Sequence, residues 1–312
     1  MSLSWIDPFW PRPGDRPILG LAFARHSLDL LQSRWDQGTR SVEWSGSLPL
    51  EREFFIGTPP RDTAQYLAKS LAPFLEKNRG RYVALQVALP DPSVRAEVFE
   101  LECVPKSEKV LREFLTWHFN PPVDGVKGEG PVLASQVLGE EGGKVLLLGS
   151  AFDASWLKAL KEAFRLNGVQ ASVIDAAFRH RFNLNHDVFG MSQGGGGLAA
   201  FERDYWNLVI WDSSLRPRLI RSKWWPAVRE AWTDPPFEDA ILEMERTIRA
   251  YVYSGGERSV GKLFLSAPVE WMPRLLDAFN LKTGGHCVAL SSDETVGKGP
   301  WEGSPAVAAV AR

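Results

Sequence analysis

The chain has 312 residues, 44% of them hydrophobic and 24% charged, with a formal net charge of −2. That length suits about two domains with sizeable cores. The near-neutral balance gives no reason to expect nucleic acid or acidic lipid as the main partner. Only Cys103 and Cys287 are present. Two cysteines make no disulfide framework and fit no metal spacing, so both read as buried, reduced thiols. Thirteen tryptophans point to large core contacts, with some left for a protein partner. The N-terminal residues lack the basic start and long apolar run of a signal peptide. No window approaches the roughly 20 apolar residues needed to span a bilayer. The expectation is a cytoplasmic chain with no membrane insertion of its own.

Residues 18–22 and 28–32 read as a hairpin and residues 41–44 as a third strand. Asp62 opens a helix that carries Leu67, Leu71 and Phe74 on one face and ends near Gly80. Residues 82–89 are a nearly continuous apolar run, as in a central strand covered on both faces. Pro90-Asp-Pro92 turns the chain, and residues 94–99 alternate as a strand does. Ser107 begins a helix with Leu111, Phe114, Leu115 and His118 at helical spacing, which reads His118 as a packed core residue. Residues 120–130 are a loop, and 144–149 a buried strand. Asp153 caps a helix that Gly168 ends. Residues 171–174 form a strand, and Asp175 caps a further helix with Phe178 and Phe182.

Gly194-Gly-Gly-Gly197 is the clearest break, read as a flexible hinge and domain boundary. Beyond it, residues 198–201, 207–212 and 219–222 read as strands. Asp234-Pro-Pro opens a long helix with Ile241, Met244, Ile248 and Tyr251 on one face. Residues 262–266 (strand), 271–279 (helix) and 286–290 (strand) follow, and residues 304–312 read as a small-residue helix. Hairpin-first sheets covered by helices on either side of a glycine run suggest two α/β lobes.

This element order resembles the actin-like ATPase superfamily, and within it the PilM-type type IV pilus assembly proteins and the cytoplasmic part of GspL-type secretion proteins. Short stretches carry the resemblance. Val87-Ala-Leu-Pro-Asp-Pro-Ser with Val104-Pro-Lys-Ser-Glu108 is similar to the entry of the family's inserted subdomain. Leu146-Leu-Leu-Gly-Ser150 and residues 157–175 are similar to its end. Residues 242–253 resemble the helix before the adenosine-side strand, and residues 306–312 the closing helix. The resemblance implies a two-lobed, ribonuclease H-like fold. Residues 1–195 would form the first lobe, with an inserted subdomain at about 93–175 and completion by a C-terminal helix at about 293–312. Residues 196–292 would form the second lobe.

The family's nucleotide motifs are missing where the resemblance places them. The first phosphate hairpin normally runs Gly-x-Asp-x-Gly. Here Gly20 is followed by Ala22 in the acid's place and Ala24 in the glycine's, with Arg25 and His26 next. The second hairpin normally carries Asp-x-Gly, and Ala200 and Glu202 occupy those positions. The adenosine side normally has a glycine pair, and here it has Ala267 and Pro268. Losing the acid removes the group that positions Mg²⁺ or its water. Side chains in place of glycine block the approach of backbone N–H groups to phosphate. Glu202 adds repulsion, and Arg25 offsets only one charge. The expectation is a pseudo-ATPase with no catalytic residues, no metal and no cofactor.

Other motifs are weaker. His180 and His186 would need a third ligand to hold a metal and otherwise read as a solvated basic helix end. Arg221-Ser-Lys-Trp-Trp-Pro226 could stack on nucleic acid but reads better as a strand end with packed tryptophans. The leading functional expectation is a non-catalytic scaffold. The resemblance implies a groove between the first lobe and the inserted subdomain, near residues 94–104 and the helix from Ser107. That groove would take the cytoplasmic peptide of a PilN-like or GspL-like membrane protein, leaving the chain peripheral to the inner membrane. Two alternatives stay open: a working actin-like ATPase or sugar-kinase relative with divergent motifs, and an unrelated α/β enzyme using Asp212 or Glu202 as acid or base.

Overall fold

The computed structural model describes residues 18–36, 39–77, 84–105, 107–119, 130–190, 194–226, 237–254, 260–283 and 287–290. The expected closing helix, the Asp234-Pro-Pro helix start and the loop at 120–129 lie outside them. Contacts divide the chain into two units, the first reaching Arg181 and the second beginning at Phe182.

The first unit is built on a five-stranded sheet. β1 (Ile18–Phe23) is buried along its whole length, as its apolar run requires. It pairs antiparallel with β2 (Ser27–Asp36) and parallel with β4 (Ala84–Leu89). β3 (Thr39–Pro49) extends the sheet beyond β2, and β8 (Ala171–Ala176) runs parallel to β4 on the other side. The order is therefore β3-β2-β1-β4-β8. Helix α1 (Thr63–Lys77) buries Leu67, Leu71 and Leu75. Helix α3 (Ala154–Leu166) packs against α1 and buries Trp156, Leu160 and Phe164. Its ends follow the sequence cues. The Asp153 carboxylate accepts from the Ser155 and Trp156 amides. Gly168, at φ +67°, lets the Val169 amide return to the Phe164 carbonyl and its own amide to Arg165.

Between β4 and β8 lies a small subdomain made of β5 (Val94–Leu101), α2 (Glu108–His118), β6 (Val132–Glu141) and β7 (Lys144–Phe152), in sheet order β5-β7-β6. α2 lays Leu115 onto Phe99 and Leu147. Gly149 permits this close approach, because a Cβ there would fall 2.7 Å from both Leu115 and Phe99. The pairing ends the insertion at Phe152 rather than near Asp175, since α3 packs on α1 and β8 joins the main sheet. β6 was not foreseen. It is an edge strand, mostly exposed and bulged between Val137 and Gly139, so its apolar alternation is broken.

Three smaller expectations give way. His118 is not in the core. It lies at the rim, its ring 4.4 Å from that of Phe99 and its Nε2 3.1 Å from Glu97, because the last residue of α2 meets the edge strand β5 there. Cys103 is exposed, at the end of the β5 edge strand; Cys287 alone is buried, its thiol pushed up to about 11 by burial. The N-terminus of helix α4 (Ala177–Leu184) is capped by Asp91 rather than by Asp175. Asp91 lies in the short 3-10 turn after β4, is 2% exposed, and accepts from the Phe178 amide at 2.6 Å. Its other oxygen meets buried Arg181 at 3.2 Å. Burial raises the Asp91 carboxyl to about 6, with Arg181 and the Phe178 amide opposing the rise.

The second unit repeats the first unit's order. β9 (Gly196–Phe201), β10 (Tyr205–Trp211) and β11 (Pro217–Trp224) are successive antiparallel strands, and β12 (Lys262–Ser266) and β13 (Cys287–Ala289) run parallel beyond β9. Helices α6 (Phe237–Ser254) and α7 (Met272–Thr283) cover one face with Phe237, Ile241, Met244, Leu275 and Phe279. Trp211 is held by Phe182 and by Phe189 of α5 (His186–Gly190) at 5.4 and 4.6 Å. The glycine run is no hinge at its C-terminal half. Gly196 and Gly197 are buried at the start of β9, where a Cβ on Gly196 would meet the Trp211 ring at 2.8 Å. They are small because the core leaves no room. Among the described residues, no helix is long and apolar enough to cross a membrane.

Candidate functional site: two hairpin tips and a strand end

The positions singled out from sequence sit at corresponding places in the two sheets. Ala22 lies in β1 between Asp29 and Ala88; Ala200 lies in β9 between Asn207 and Ser266. Both are buried, at 2% and 0% exposure. Two residues on, Ala24 opens the first hairpin turn with its N–H donated to the Ser27 carbonyl at 2.9 Å. Glu202 opens the second, donating to Tyr205 at 2.8 Å. Strand register thus makes Ala24 and Glu202 counterparts, with Arg25 opposite Arg203 and His26 opposite Asp204.

Each turn is covered from its own unit. In the first, Leu50 donates its amide to the His26 carbonyl at 2.8 Å and Phe54 to Arg25 at 2.9 Å. Phe54 and Phe55 are buried here, ringed by Phe23, Tyr66, Phe152 and Trp156 at centroid distances of 5.1–6.3 Å. Phe55 has φ +63°, a conformation costing a bulky residue about 1–3 kcal/mol, which its aromatic contacts offset. The Trp156 indole N–H fastens the far end to the Gly57 carbonyl at 2.7 Å. In the second unit, among the described residues, Trp225 does this. Its amide donates to the Asp204 carbonyl at 2.9 Å and its indole to the Glu202 carbonyl at 2.8 Å.

The charges follow the same self-contained scheme. Arg25, the cation nearest the first turn, is ion-paired through Nε to Glu53 at 3.1 Å, with His26 3.6 Å from the same oxygen. An arriving phosphate would meet Glu53 before it met a vacant guanidinium. On the third face of the expected site, Ala267 is buried directly after β12, and Pro268 begins a turn whose carbonyl takes the Trp271 and Met272 amides. Proline has no N–H to offer a ligand. Glu53 and Phe54 were missed from sequence, and Trp225 was read there only as a packed tryptophan at a strand end. The one cue was the Phe54-Phe55 pair in an otherwise polar stretch, which marks a buried anchor rather than a loop.

The remaining candidates have structural employment. Both oxygens of Asp212 are taken, Oδ1 by the Ser214 and Arg216 amides and Oδ2 by Arg216 and Arg218 at 2.8–2.9 Å. That arrangement ties a turn and leaves nothing for acid–base work. His180 and Arg181 are buried, not solvated. Burial pushes the His180 imidazole below its ordinary value, and its backbone partner is Val87. His186 faces Asp187, and no group of three metal ligands occurs among the described residues. Trp225 is buried, and Trp224 is half-buried with an edge-to-face contact to Tyr205, as packed tryptophans at a strand end.

No protein-family model and no curated protein matches the chain. Solved structures do. A chain of the PilM–PilN type IV pilus biogenesis complex is similar over 96% of this chain and 98% of its own, with 16% identity and a TM-score of 0.71. A Bacteroides thetaiotaomicron protein of unknown function with an actin-like ATPase fold covers 88% of this chain and 91% of its own, at 12% identity and a TM-score of 0.56. The cytoplasmic domain of EpsL, an inner-membrane component of the Vibrio cholerae type II secretion system, covers 81% and 82%, at 13% identity and a TM-score of 0.45. With its two sheets of one order and a small sheet inserted in the first, the chain has the actin-like ATPase fold.

Proposed function

We propose that this chain is a non-catalytic actin-like scaffold of a type IV pilus or type II secretion assembly at the inner membrane, binding the cytoplasmic segment of a membrane partner. The observation that carries the reading is the self-coverage of both hairpin tips. Turn carbonyls are bonded to residues 50, 54 and 225, the nearest cation is paired with Glu53, and a glutamate stands at the start of the second turn. A phosphate cradle requires free N–H groups, uncommitted positive charge and a metal-positioning acid. The N–H groups of Ala24 and Glu202 are spent inside their own turns on Ser27 and Tyr205, Pro268 has none, and Ala22 and Ala200 bring no acid to the strand ends. Full-length similarity to a chain of a complex that joins PilM to PilN supports a holding role. The partner would be a PilN-like or GspL-like protein whose short peptide lies against the inserted subdomain, near β5 and α2, and the chain would reach the cytoplasmic face of the membrane through it.

Two measurements test this. A ligand at 100 times its dissociation constant raises stability by about 2.7 kcal/mol, so millimolar Mg·ATP is expected to leave the melting temperature unchanged. Glu202→Gly is expected not to restore binding. A calorimetric isotherm in the micromolar range would hand the function to a working ATPase or sugar-kinase relative. Separately, membranes from the native host should yield this chain together with a bitopic protein, released when that protein's cytoplasmic segment is deleted. Retention on protein-free vesicles would sink the scaffold's dependence on a partner.

A further inference from the structure

β11 is the terminal strand of its sheet, and no strand among the described residues pairs with its outer edge. Its only proline is Pro217 at the first position, so residues 219–224 form continuous strand, with no strand among the described residues beside their outer side. Beside that edge runs α6, and the two enclose a groove of about 800 Å³. The helix contributes Leu242, Ala250 and the flank of Tyr251; the strand contributes Leu219. A strand edge beside a helix wall is a geometry in which an extended peptide adds a strand and places alternate side chains against the helix.

The first unit has the same edge and the same helix, but there the space is filled. Trp44 of β3 lies over Gly46, whose Cβ would sit 2.8 Å from the ring, and reaches Phe74 of α1 at 5.5 Å. In the second unit the corresponding zone carries charge instead. Arg218, Arg221, Lys223 and Arg246 surround the groove against Asp239 and Glu243. Glu243 is shared by Arg221 at 2.6 Å and Lys223 at 2.9 Å, and Arg218 shares Asp212 with Arg216. At Glu243 two cations meet one carboxylate, which leaves positive charge over, on a chain whose net charge is −2.

We infer that the groove between β11 and α6 is a docking site for an extended segment of a partner protein that pairs with the outer edge of β11 and carries carboxylates at alternate positions. The segment's apolar residues lie on Leu219, Leu242 and Ala250, and its carboxylates face Arg246 and Arg221. The inference stands apart from the pilus role, because only residues of the second unit carry it.

Random eight-residue peptides displayed on phage and selected on the full-length chain provide the test. Enriched peptides are expected to carry acidic residues two apart and to contain no proline at the centre. Measured by fluorescence anisotropy, their binding should weaken about tenfold or more in Arg246→Glu and vanish in Ala250→Trp, which fills the groove. Both positions are exposed on α6, so both variants should melt as the parent does. Failure to enrich, enrichment of basic sequences, or equal binding to Ala250→Trp would overturn the inference. So would a dimer in solution that Ala250→Trp dissociates, because the occupant would then be a second copy of this chain. Loss of ATP inertness in the first test leaves this result untouched, so the two readings fail separately.

Discussion

The two five-stranded sheets share strand order, strand directions and turn register, yet they protect their hairpin tips in different ways. The first uses a stretch of chain, residues 50–57, that folds back over the turn and sinks two phenylalanines beside it. The second uses a single tryptophan, Trp225, whose two N–H groups bond the turn at both ends. Backbone pairing dictates where a turn must be covered, and the covering chemistry is free to differ. The same holds at the outer edges, where Trp44 fills one groove and arginines line the other.

Removing the cover is the sharpest way to break the comparison. Phe54→Ala empties a 1% exposed site and is expected to cost about 3–5 kcal/mol in chemical unfolding. If it costs less than about 1 kcal/mol, residues 50–57 are not an integral part of the first unit. Next in size is Asp91→Asn, which like the protonated carboxyl puts no charge beside Arg181, so its cost relative to wild type is expected to be larger at pH 4 than at pH 7. Its signature is the pH profile. Asp91 is raised to about 6 from an ordinary 3.8. Between those values the folded chain keeps a proton that the unfolded chain has lost. Stability from this group is therefore full below about pH 4 and falls as the pH rises through about 6. His180, pushed the other way, contributes the opposite slope near its own range. The difference between wild type and Asp91→Asn in urea melts across this window isolates the carboxyl, and parallel profiles would refute the assignment.

Smaller effects separate the two cores. Gln86 in β4 and Asn207 in β10 are both fully buried, and neither side-chain amide has a hydrogen-bond partner among the described residues. Gln86→Met and Asn207→Leu are expected to be neutral or to stabilise by about 1 kcal/mol each. Destabilisation by either, read from denaturant midpoints, would reveal a partner such as ordered water. The smallest effect belongs to the first tip. Glu53→Gln removes the charge of the half-exposed partner of mostly buried Arg25 and should change stability by about 1 kcal/mol or less, without creating any response to Mg·ATP.

Much of this fold was legible in the chain because periodicity and caps survive in it. Leu67 and Leu71 mark α1, Asp153 and Gly168 bracket α3, and residues 262–266 match β12 residue for residue. What escaped reading involves partners distant in sequence. Asp91 caps a helix 87 residues away, and local signals favoured Asp175. β6 hides its pattern because only Leu138 is fully buried and the bulge after Val137 shifts the alternation that Leu133 and Val137 begin. Gly196 and Gly197 look like linker until Trp211 and Leu263 are seen beside them. At the candidate site, Ala22 and Ala24 could be read by their absent partners. The cover over them could not, since Glu53 and Phe54 reach the turn only through tertiary folding.

The cap on α4 has a consequence for how the chain is made. Asp91, Arg181, the insertion and all five strands of the first sheet precede Phe182, the first residue of the second unit. On a ribosome, the described first sheet and the fastened start of α4 are all available before any of the second sheet emerges. α4 is the segment that carries the chain out of the first sheet's residues, so its N-terminus can be anchored by Asp91 while the remainder is still being translated. Synthesis then begins the second sheet from a fixed point, with aromatic Phe182 and Phe189 the first core residues of the second unit to arrive.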